Sequence, residues 1–211
     1  MKIGILGSGD VAKALGNGFI GLGHQVMLGS RDPAKLKEWA TASGGITGDF
    51  SKTAQFAEVA VLAVKGSAAV TVLQLAGVEN LKNKPLIDAC NPIADAPPED
   101  GVLQFFTGPN ESLMEKLQSV APDAHLVKAF SCIGSALMVN PDFRDGKPTM
   151  FICGNSTDAK NKVTSLCEAL GFDVADMGGA AAARAIEPLC MLWCIPGFRE
   201  NSWRHAFKLI R

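Results

Sequence analysis

Short apolar runs alternate with helical patterns along the chain. The runs are rich in apolar and β-branched residues, and the stretches between them are long enough to hold helices. This alternation is typical of a parallel sheet covered by helices on both faces. We therefore predict an α/β fold with a doubly wound parallel sheet. Its strands are predicted at Lys2–Gly7, Gln25–Gly29, Val59–Val64, Pro85–Ala89, His125–Phe130, Thr149–Cys153 and Phe172–Met177, with a further short strand near Gly45–Phe50.

Apolar residues between these runs recur at helical spacing. One predicted helix has Ser156 or Thr157 as its N-terminal cap and Gly171 as its stop. The last segment, Gly179–Arg211, has a helical pattern interrupted by two prolines, Pro188 and Pro196. Beyond them the spacing predicts one helical face, as a packing or subunit surface requires, built from Trp203, Phe207 and Ile210.

The pattern contains neither an internal repeat nor a linker. We therefore expect residues 1–211 to form one domain, with residues 179–211 as its C-terminal helical segment. The apolar face predicted for the end of that segment favours a homodimer. Two long irregular stretches, Asn91–Asn110 and Ser131–Pro148, follow predicted strands. They should lie at the carboxyl edge of the sheet, where open α/β sheets bind ligands.

A glycine-rich turn follows the first predicted strand. Gly7, Ser8, Gly9, Asp10 and Val11 lead into Ala12 and form a GxGxxA pattern that opens a helix. The first glycine permits a tight turn, and the second lets a pyrophosphate approach the backbone. The amides at the helix start favour the anion, and Asp10 could cap the helix instead of facing the phosphate. The turn predicts a Rossmann-type NAD(P)-binding fold.

The end of the second predicted strand favours NADPH over NADH. An NAD site places an acid here to bind the ribose 2′-hydroxyl. This sequence has Ser30 and Arg31 instead, with Lys35 one helical turn further on. A guanidinium and an ammonium group bind a 2′-phosphate, which an acid would repel.

Charge and cysteine content exclude several classes of protein. The net charge is −1, with 20 basic and 21 acidic residues, so the overall field does not attract nucleic acid or an anionic membrane. No apolar run approaches the length of a membrane span. The six cysteines are irregularly spaced and form no CxxC pair, which favours buried thiols in a cytoplasmic protein, without disulfides or a metal site.

Three residues near the sixth predicted strand are candidates for catalysis. Lys128 lies within that strand, and Asp88 lies within the strand before it. A structural ion pair between the two is the simpler interpretation, since buried charges are normally paired; a substrate-side cation or acid at Lys128 is the alternative. Ser131 and Cys132 follow the strand and could face the nicotinamide.

Several of these segments resemble the coenzyme F420-dependent NADP oxidoreductase family, and the resemblance runs over nearly the whole chain. The cytosolic reductase domain of the six-transmembrane (STEAP) metalloreductases is similar too. The motifs that carry the resemblance are GILGSGDVA, LGSRDPAK, VLAVK, LIDACNP, LVKAF, FICG, DVADMG and AIEPLCMLW.

The resemblance implies particular NADP contacts and a reaction. It implies hydride exchange with a flavin or deazaflavin (coenzyme F420) stacked near the nicotinamide. It places NADP contacts at the turn Ser8–Val11, at Ser30, Arg31 and Lys35, and at the strand ends near Val64, Lys65, Asn91 and Ala129.

Two departures from these relatives limit what is carried over. The metalloreductases continue into a membrane domain that this chain lacks, so we do not expect haem binding or direct iron reduction. Ser131 stands where the deazaflavin enzymes have a histidine after the sixth strand, which weakens the case for deazaflavin itself.

The sequence thus predicts an NADPH-dependent oxidoreductase that passes hydride to a flavin, a deazaflavin or a similar small acceptor. Two alternatives stay open at this point. One is an NADPH-binding sensor without catalysis, and the other is a small imine or carbonyl reductase.

Overall fold

Six parallel strands form the main sheet of the computed structural model, which describes all 211 residues. The strands are β1 (Lys2–Leu6), β2 (Gln25–Gly29), β3 (Ile46–Gly48), β4 (Val59–Leu62), β5 (Pro85–Asp88) and β6 (His125–Lys128). Their order in the sheet is β3-β2-β1-β4-β5-β6. The predicted doubly wound fold is therefore confirmed, and the predicted strands differ from the observed ones mainly at their ends.

The last two strands depart from the predicted single sheet. β7 (Thr149–Ile152) and β8 (Asp173–Asp176) pair in parallel as a separate two-stranded sheet. β7 meets β6 only through an antiparallel bridge between Lys128 and Cys153. A parallel crossover normally needs a helix between its strands. The connection from β6 to β7 holds only a short 3₁₀ turn, Ser135–Leu137, so the chain returns antiparallel.

Helices cover both faces of the main sheet and bury its apolar strands. A cluster of 27 buried residues fills one side and a cluster of 23 fills the other. Ser156 caps α6 as predicted, by accepting a hydrogen bond from the Ala159 amide. The helices are α1 (Asp10–Gly21), α2 (Lys37–Ser43), α3 (Phe50–Phe56), α4 (Ala69–Ala76), α5 (Leu113–Val120), α6 (Thr157–Ala169), α7 (Ala183–Ile186) and α8 (Leu189–Glu200). No helix of the chain is both long and apolar enough to span a bilayer.

The C-terminal segment is only partly as predicted. The break at Pro188 is confirmed, because this residue separates α7 from α8. The break at Pro196 is wrong: α8 runs through it, and the carbonyl group that loses its partner belongs to Leu192, which is exposed to water.

The predicted helical face of Trp203, Phe207 and Ile210 is also wrong, because residues 201–211 form no regular helix. Asn201 ends α8 in the left-handed conformation, and the tail then runs back to β7. The Thr149 amide donates to the Phe207 carbonyl over 2.9 Å, and Trp203 packs on Trp193 with ring centroids 5.7 Å apart. The prediction of a homodimer rested on that face and loses this basis.

The two long connections lie at the carboxyl edge of the sheet, as predicted. Residues 91–110 are not irregular throughout, because Ile93 pairs with Phe105 and Glu99 with Val102 in antiparallel bridges. Ile93, Leu103 and Phe105 pack on Cys190, Trp193 and Cys194 of α8 in a small third core. This excursion, which we call the 93–105 hairpin, is thereby fixed to the C-terminal helix.

Candidate functional site

A cavity of about 840 Å³ opens at the carboxyl ends of β1 and β4, where the strand order reverses. Ligands of open α/β sheets bind at such a reversal. The cavity brings together ten of the twelve residues that the sequence assigns to cofactor binding: Gly7, Ser8, Gly9, Asp10, Val11, Ser30, Arg31, Lys35, Val64 and Lys65. Asn91 lines a neighbouring cavity, and Ala129 is fully buried and lines neither.

The two glycines of the turn meet different surroundings. A Cβ on Gly7 would collide with the carbonyl oxygen of Ala63, so the chain can pass here only as glycine. A Cβ on Gly9 would meet no atom within 4 Å, because it would point into open space. The turn therefore has its tight crossing at Gly7 and a bare, approachable backbone at Gly9.

Helix α1 begins directly after this turn. Its capping position falls on Gly9, so the prediction that Asp10 caps the helix is wrong; Asp10 is the first helical residue and lines the cavity. The first amides of a helix lack intrahelical partners and carry the positive end of its dipole. The start of α1 thus presents a bare cradle of amides that suits a pyrophosphate.

The end of β2 supplies the cationic part of the cavity. The Ser30 hydroxyl accepts a hydrogen bond from the Asp32 amide over 3.2 Å, so its proton is free for an anion. Arg31 is exposed, and the Lys35 side chain is 78% exposed, so both can turn towards a ligand. A hydroxyl donor and two mobile cations at one end of the cavity form an anion site.

The sequence predictions missed the opposite wall of this cavity. Thr71, Val72 and Leu75 of α4 line it, together with Phe50 at the start of α3. About half of the Leu75 side chain is exposed. The sequence signal that could have placed these residues is the position of α4 as the first α-helix after β4, because β4 is one of the two strands at the reversal.

A second cavity of about 610 Å³ adjoins the first and shares Val64, Lys65 and Ala89 with it. The 93–105 hairpin forms its far wall through Ile93, Ala94, Asp95 and Ala96, and Asn91 lines its floor. The only titratable groups that line it are Lys65 and Asp95, whose charged atoms lie 3.9 Å apart at the exposed mouth.

Two buried side-chain atoms, one of them on Asn91 in the floor of the second cavity, have no hydrogen-bond partner. The Asn91 Nδ2 group donates to the Ser131 carbonyl over 2.9 Å, which fixes the amide orientation because a carbonyl can only accept. The Asn91 Oδ1 atom is then left unpaired, and so is the Ser131 hydroxyl. Buried polar atoms normally have a partner, so an unpaired acceptor at a cavity indicates a place for a ligand donor.

Lys128 does not reach either cavity, because it is fully buried. Its three N–H donors are all used: its Nζ lies 2.7 Å from Asp88 Oδ2, 2.8 Å from Glu187 Oε1 and 2.8 Å from the Cys90 carbonyl oxygen. The predicted ion pair with Asp88 is confirmed. Burial alone would lower the pKa of Lys128, but the two carboxylates outweigh it and hold the pKa above its ordinary value.

Glu187 is the partner that sequence reasoning missed. Its carboxylate also accepts from the amides of Leu113 and Met114, at 2.9 and 3.0 Å, and so satisfies the first turn of α5. The signal available was a glutamate directly before Pro188 in an otherwise apolar stretch. Lys128, Asp88 and Glu187, which we call the buried triad, therefore connect β5, β6, α5 and the break before α8.

The other two catalytic candidates are also enclosed. Ser131 is 4% exposed and Cys132 is 5% exposed, and neither lines the two cavities. Burial raises the pKa of the Cys132 thiol to about 12, so it is not a nucleophile near neutral pH. Cys190 and Cys194 lie in the third core, which agrees with the buried thiols expected from the cysteine spacing.

The donor set fits a phosphorylated dinucleotide. The amide cradle at Gly9 would hold the pyrophosphate, and Ser30, Arg31 and Lys35 would hold a 2′-phosphate. The unpaired Asn91 oxygen offers a hydrogen-bond acceptor to the nicotinamide half of the dinucleotide. Nothing in the cavities supplies a general acid held in place by its neighbours.

Comparison with known proteins finds relatives over different parts of the chain. Residues 2–92 match the model of the family described as NADP oxidoreductase, coenzyme F420-dependent. The chain is similar to the crystal structure of an Arthrobacter sp. FB24 protein that is provisionally described as an F420-dependent NADP reductase. The two are 32% identical, with a TM-score of 0.93 over 100% of both chains.

Two further similarities cover most of the chain. A crystal structure of the hypothetical protein SMa0349 from Sinorhizobium meliloti is 26% identical, with a TM-score of 0.75 over 89% of each chain. Metalloreductase STEAP3 of Rattus norvegicus is 36% identical over 201 residues, which is 92% of this chain and 38% of that protein. This chain thus spans about two fifths of the length of the curated relative.

Proposed function

We propose, because this chain belongs to the coenzyme F420-dependent NADP oxidoreductase family and is an NADP-dependent oxidoreductase, that it transfers hydride between NADP(H) and a planar acceptor of the flavin or deazaflavin class. NADPH supplies the hydride when bound. The protein's part is to hold the two rings together and to exclude water between them.

The adjoining cavities carry this proposal. The first has the shape and charge for a dinucleotide, and the second lies directly beside it, at the strand ends that both share. A volume of about 610 Å³ is in the range of small-molecule sites. Residues of the shared boundary, Val64 and Ala89, are apolar, which suits the meeting of two ring systems.

The protein groups have separate roles in this proposal. Gly9 and the start of α1 bind the pyrophosphate, and Ser30, Arg31 and Lys35 bind the 2′-phosphate. Asn91 Oδ1 accepts a hydrogen bond from an N–H of the nicotinamide half of the cofactor. The buried triad does not take part in proton transfer, because every donor of Lys128 is already used within the protein.

The chemistry of the second cavity favours a flavin-like acceptor over an imine or a carbonyl. An imine or carbonyl needs a proton donor beside the hydride acceptor, and the only titratable groups here are the exposed pair Lys65 and Asp95. A conjugated ring stabilises the added electrons itself and has less need of such a donor. The open second cavity also argues against a sensor, for which we expect a blocked nicotinamide face.

A turnover assay tests the proposal. NADPH oxidation is followed at its absorbance band against riboflavin, FMN, a deazaflavin, ferric chelates and cyclic imines. We expect turnover with a flavin or the deazaflavin. Turnover confined to imines or ferric chelates, or none with any acceptor despite tight NADPH binding, would contradict the proposal.

A variant that fills the second cavity provides the matched control. Ala94 lines that cavity only, so Ala94→Trp should leave the NADPH dissociation constant within about twofold of the parent. The KM for the acceptor should rise about tenfold or more, because the ring loses its space. Equal losses for NADPH and acceptor would place the acceptor elsewhere.

The predicted homodimer stays a prediction. Its surface would now involve the exposed apolar side chains Leu192 and Phe198 of α8, with Ile210 of the tail. Sedimentation of the parent and of Leu192→Glu tests it, and a monomeric parent would contradict it.

A further inference from the structure

One acid lies at the cationic end of the first cavity. Asp32 follows Arg31 directly and lines the same cavity wall as Lys35. Its Oδ2 atom lies 4.0 Å from the Lys35 ammonium, and the two side chains are 54% and 78% exposed. The acid thus stands among the groups that would bind the 2′-phosphate, where its charge opposes that of the ligand.

The capping role of Asp32 does not require this charge. Its Oδ1 atom accepts from the Ala34 amide over 3.2 Å and caps the 3₁₀ turn Pro33–Leu36. Asparagine and serine cap helix starts about as well as aspartate does. The negative charge can therefore be removed without removing the hydrogen bond that shapes the loop.

We infer that Asp32 is a specificity-determining residue that lowers the preference of the protein for NADP(H) over NAD(H). This inference rests on the proposed 2′-phosphate site. The Asp32 carboxylate competes with the phosphate for Lys35 and repels the phosphate directly. NAD(H) has an uncharged 2′-hydroxyl at that position, so the charge of Asp32 affects its binding much less than it affects that of a phosphate.

The size of the effect follows from the exposure of the groups. Charges a few ångströms apart in water interact weakly, and salt weakens them further. Removal of the acid should tighten NADPH binding by about three- to tenfold at low ionic strength. The gain should shrink as salt is added, because a 2′-phosphate interaction is screened and a packing change is not.

The chain contains a matched control for Asp32 outside the cavity. Asp49 caps α3 by accepting from the Lys52 amide over 2.7 Å, and its Oδ2 lies 3.7 Å from the Lys52 ammonium. The pair has the same spacing, and its side chains are 50% and 75% exposed. Neither residue lines the two cavities. Asp49→Asn thus removes one negative charge from a capping aspartate, as Asp32→Asn does, but at a site outside the two cavities.

The experiment measures dissociation constants for NADPH and NADH by fluorescence titration at two salt concentrations. The proteins are the parent, Asp32→Asn, Asp49→Asn and Arg31→Ala, with thermal melting of each as a check of folding. We expect Asp32→Asn to tighten NADPH about three- to tenfold at low salt and to change NADH less than about twofold. Asp49→Asn should change neither, and Arg31→Ala should weaken NADPH far more than NADH.

The possible failures are distinguishable. If Arg31→Ala weakens both cofactors equally, the proposed 2′-phosphate site is wrong and the inference fails with it. If Arg31→Ala behaves as expected but Asp32→Asn leaves NADPH unchanged, or tightens NADH as much, the inference alone is overturned. Asp32→Ser, which keeps a capping oxygen, repeats the test should Asp32→Asn not fold.

Discussion

The Lys128 ammonium lies 2.8 Å from the Glu187 carboxylate, and this contact joins the sixth strand to the break before the last helix. Both side chains are essentially inaccessible to water. Because Glu187 also binds the first amides of α5, one carboxylate satisfies a buried cation and a buried helix start. Lys128 further holds the carbonyl of Cys90, the residue before Asn91. The floor of the second cavity is therefore fixed from below by charges that no ligand reaches.

Loss of the cation from the buried triad should be severe. Lys128→Met leaves two buried carboxylates without their partner. We therefore expect the free energy of unfolding to fall by about 3–5 kcal/mol. Chemical denaturation of the parent and the variant measures this. Adding Asp88→Asn and Glu187→Gln to Lys128→Met should recover part of the loss, since the unpaired charges are then removed. A Lys128→Met protein that is as stable as the parent but does not turn over would instead favour the catalytic role.

The two turn glycines should separate folding from binding. Gly7→Ala places a methyl group against the Ala63 carbonyl and should lower the free energy of unfolding by about 3 kcal/mol or more, because backbone cannot give way as a side chain can. Gly9→Ala meets no atom, so it should cost less than about 1 kcal/mol, as a weaker helix cap. Its methyl group would nevertheless stand where the pyrophosphate approaches, so NADPH binding should weaken about tenfold or more. Thermal melting with and without NADPH measures both effects. Normal NADPH affinity in Gly9→Ala would contradict this place for the pyrophosphate.

The sequence predicted this part of the site because its chemistry is local. A strand, a glycine turn and a helix follow one another within residues 2–21, and the cations follow β2 directly, so spacing alone places them at one sheet edge. Glu187 could not be placed in this way, because its partners Lys128 and Leu113 are distant in sequence.

The tail failed for a different reason. Trp203, Phe207 and Ile210 have helical spacing, but Asn201 turns the chain and backbone contacts with Thr149 replace the helix. Tertiary contacts of this kind override a local periodicity.

An ion pair near the surface should make the stability of the fold depend on pH. The Arg184 guanidinium donates two hydrogen bonds to Glu115, at 2.6 and 2.9 Å, and these hold the pKa of Glu115 below its ordinary value. A lowered carboxyl pKa stabilises the fold above the unfolded value of about 4.3. That stabilisation is lost as the pH falls through the lowered folded value. Arg184→Met should thus melt slightly below the parent at pH 7, and the difference should shrink below about pH 4. A difference that stayed constant with pH would show a packing effect instead.

The six thiols should differ in reactivity. Cys194 is the most accessible of the six thiols, at 9% exposed. Burial raises the pKa values of Cys132 and Cys153 to about 12, and it raises those of the Cys90 and Cys167 thiols as well. Since the thiolate is the reactive form, Cys194 should be alkylated first by iodoacetamide at pH 8. Mass spectrometry of tryptic peptides after brief labelling identifies the site. Cys194→Ala should remove the fast phase, and a fast phase that persists would contradict this order.

The position of Glu187 in the chain sets an order of assembly on the ribosome. Asp88 and Lys128 emerge well before residue 187, as do the first amides of α5. Until residue 187 has been synthesised, the nascent protein holds the Lys128 ammonium group with one carboxylate fewer than it needs and the start of α5 without its acceptor. The pyrophosphate turn can form early from local sequence, but the floor beneath Asn91 closes only after residue 187 has emerged from the ribosome.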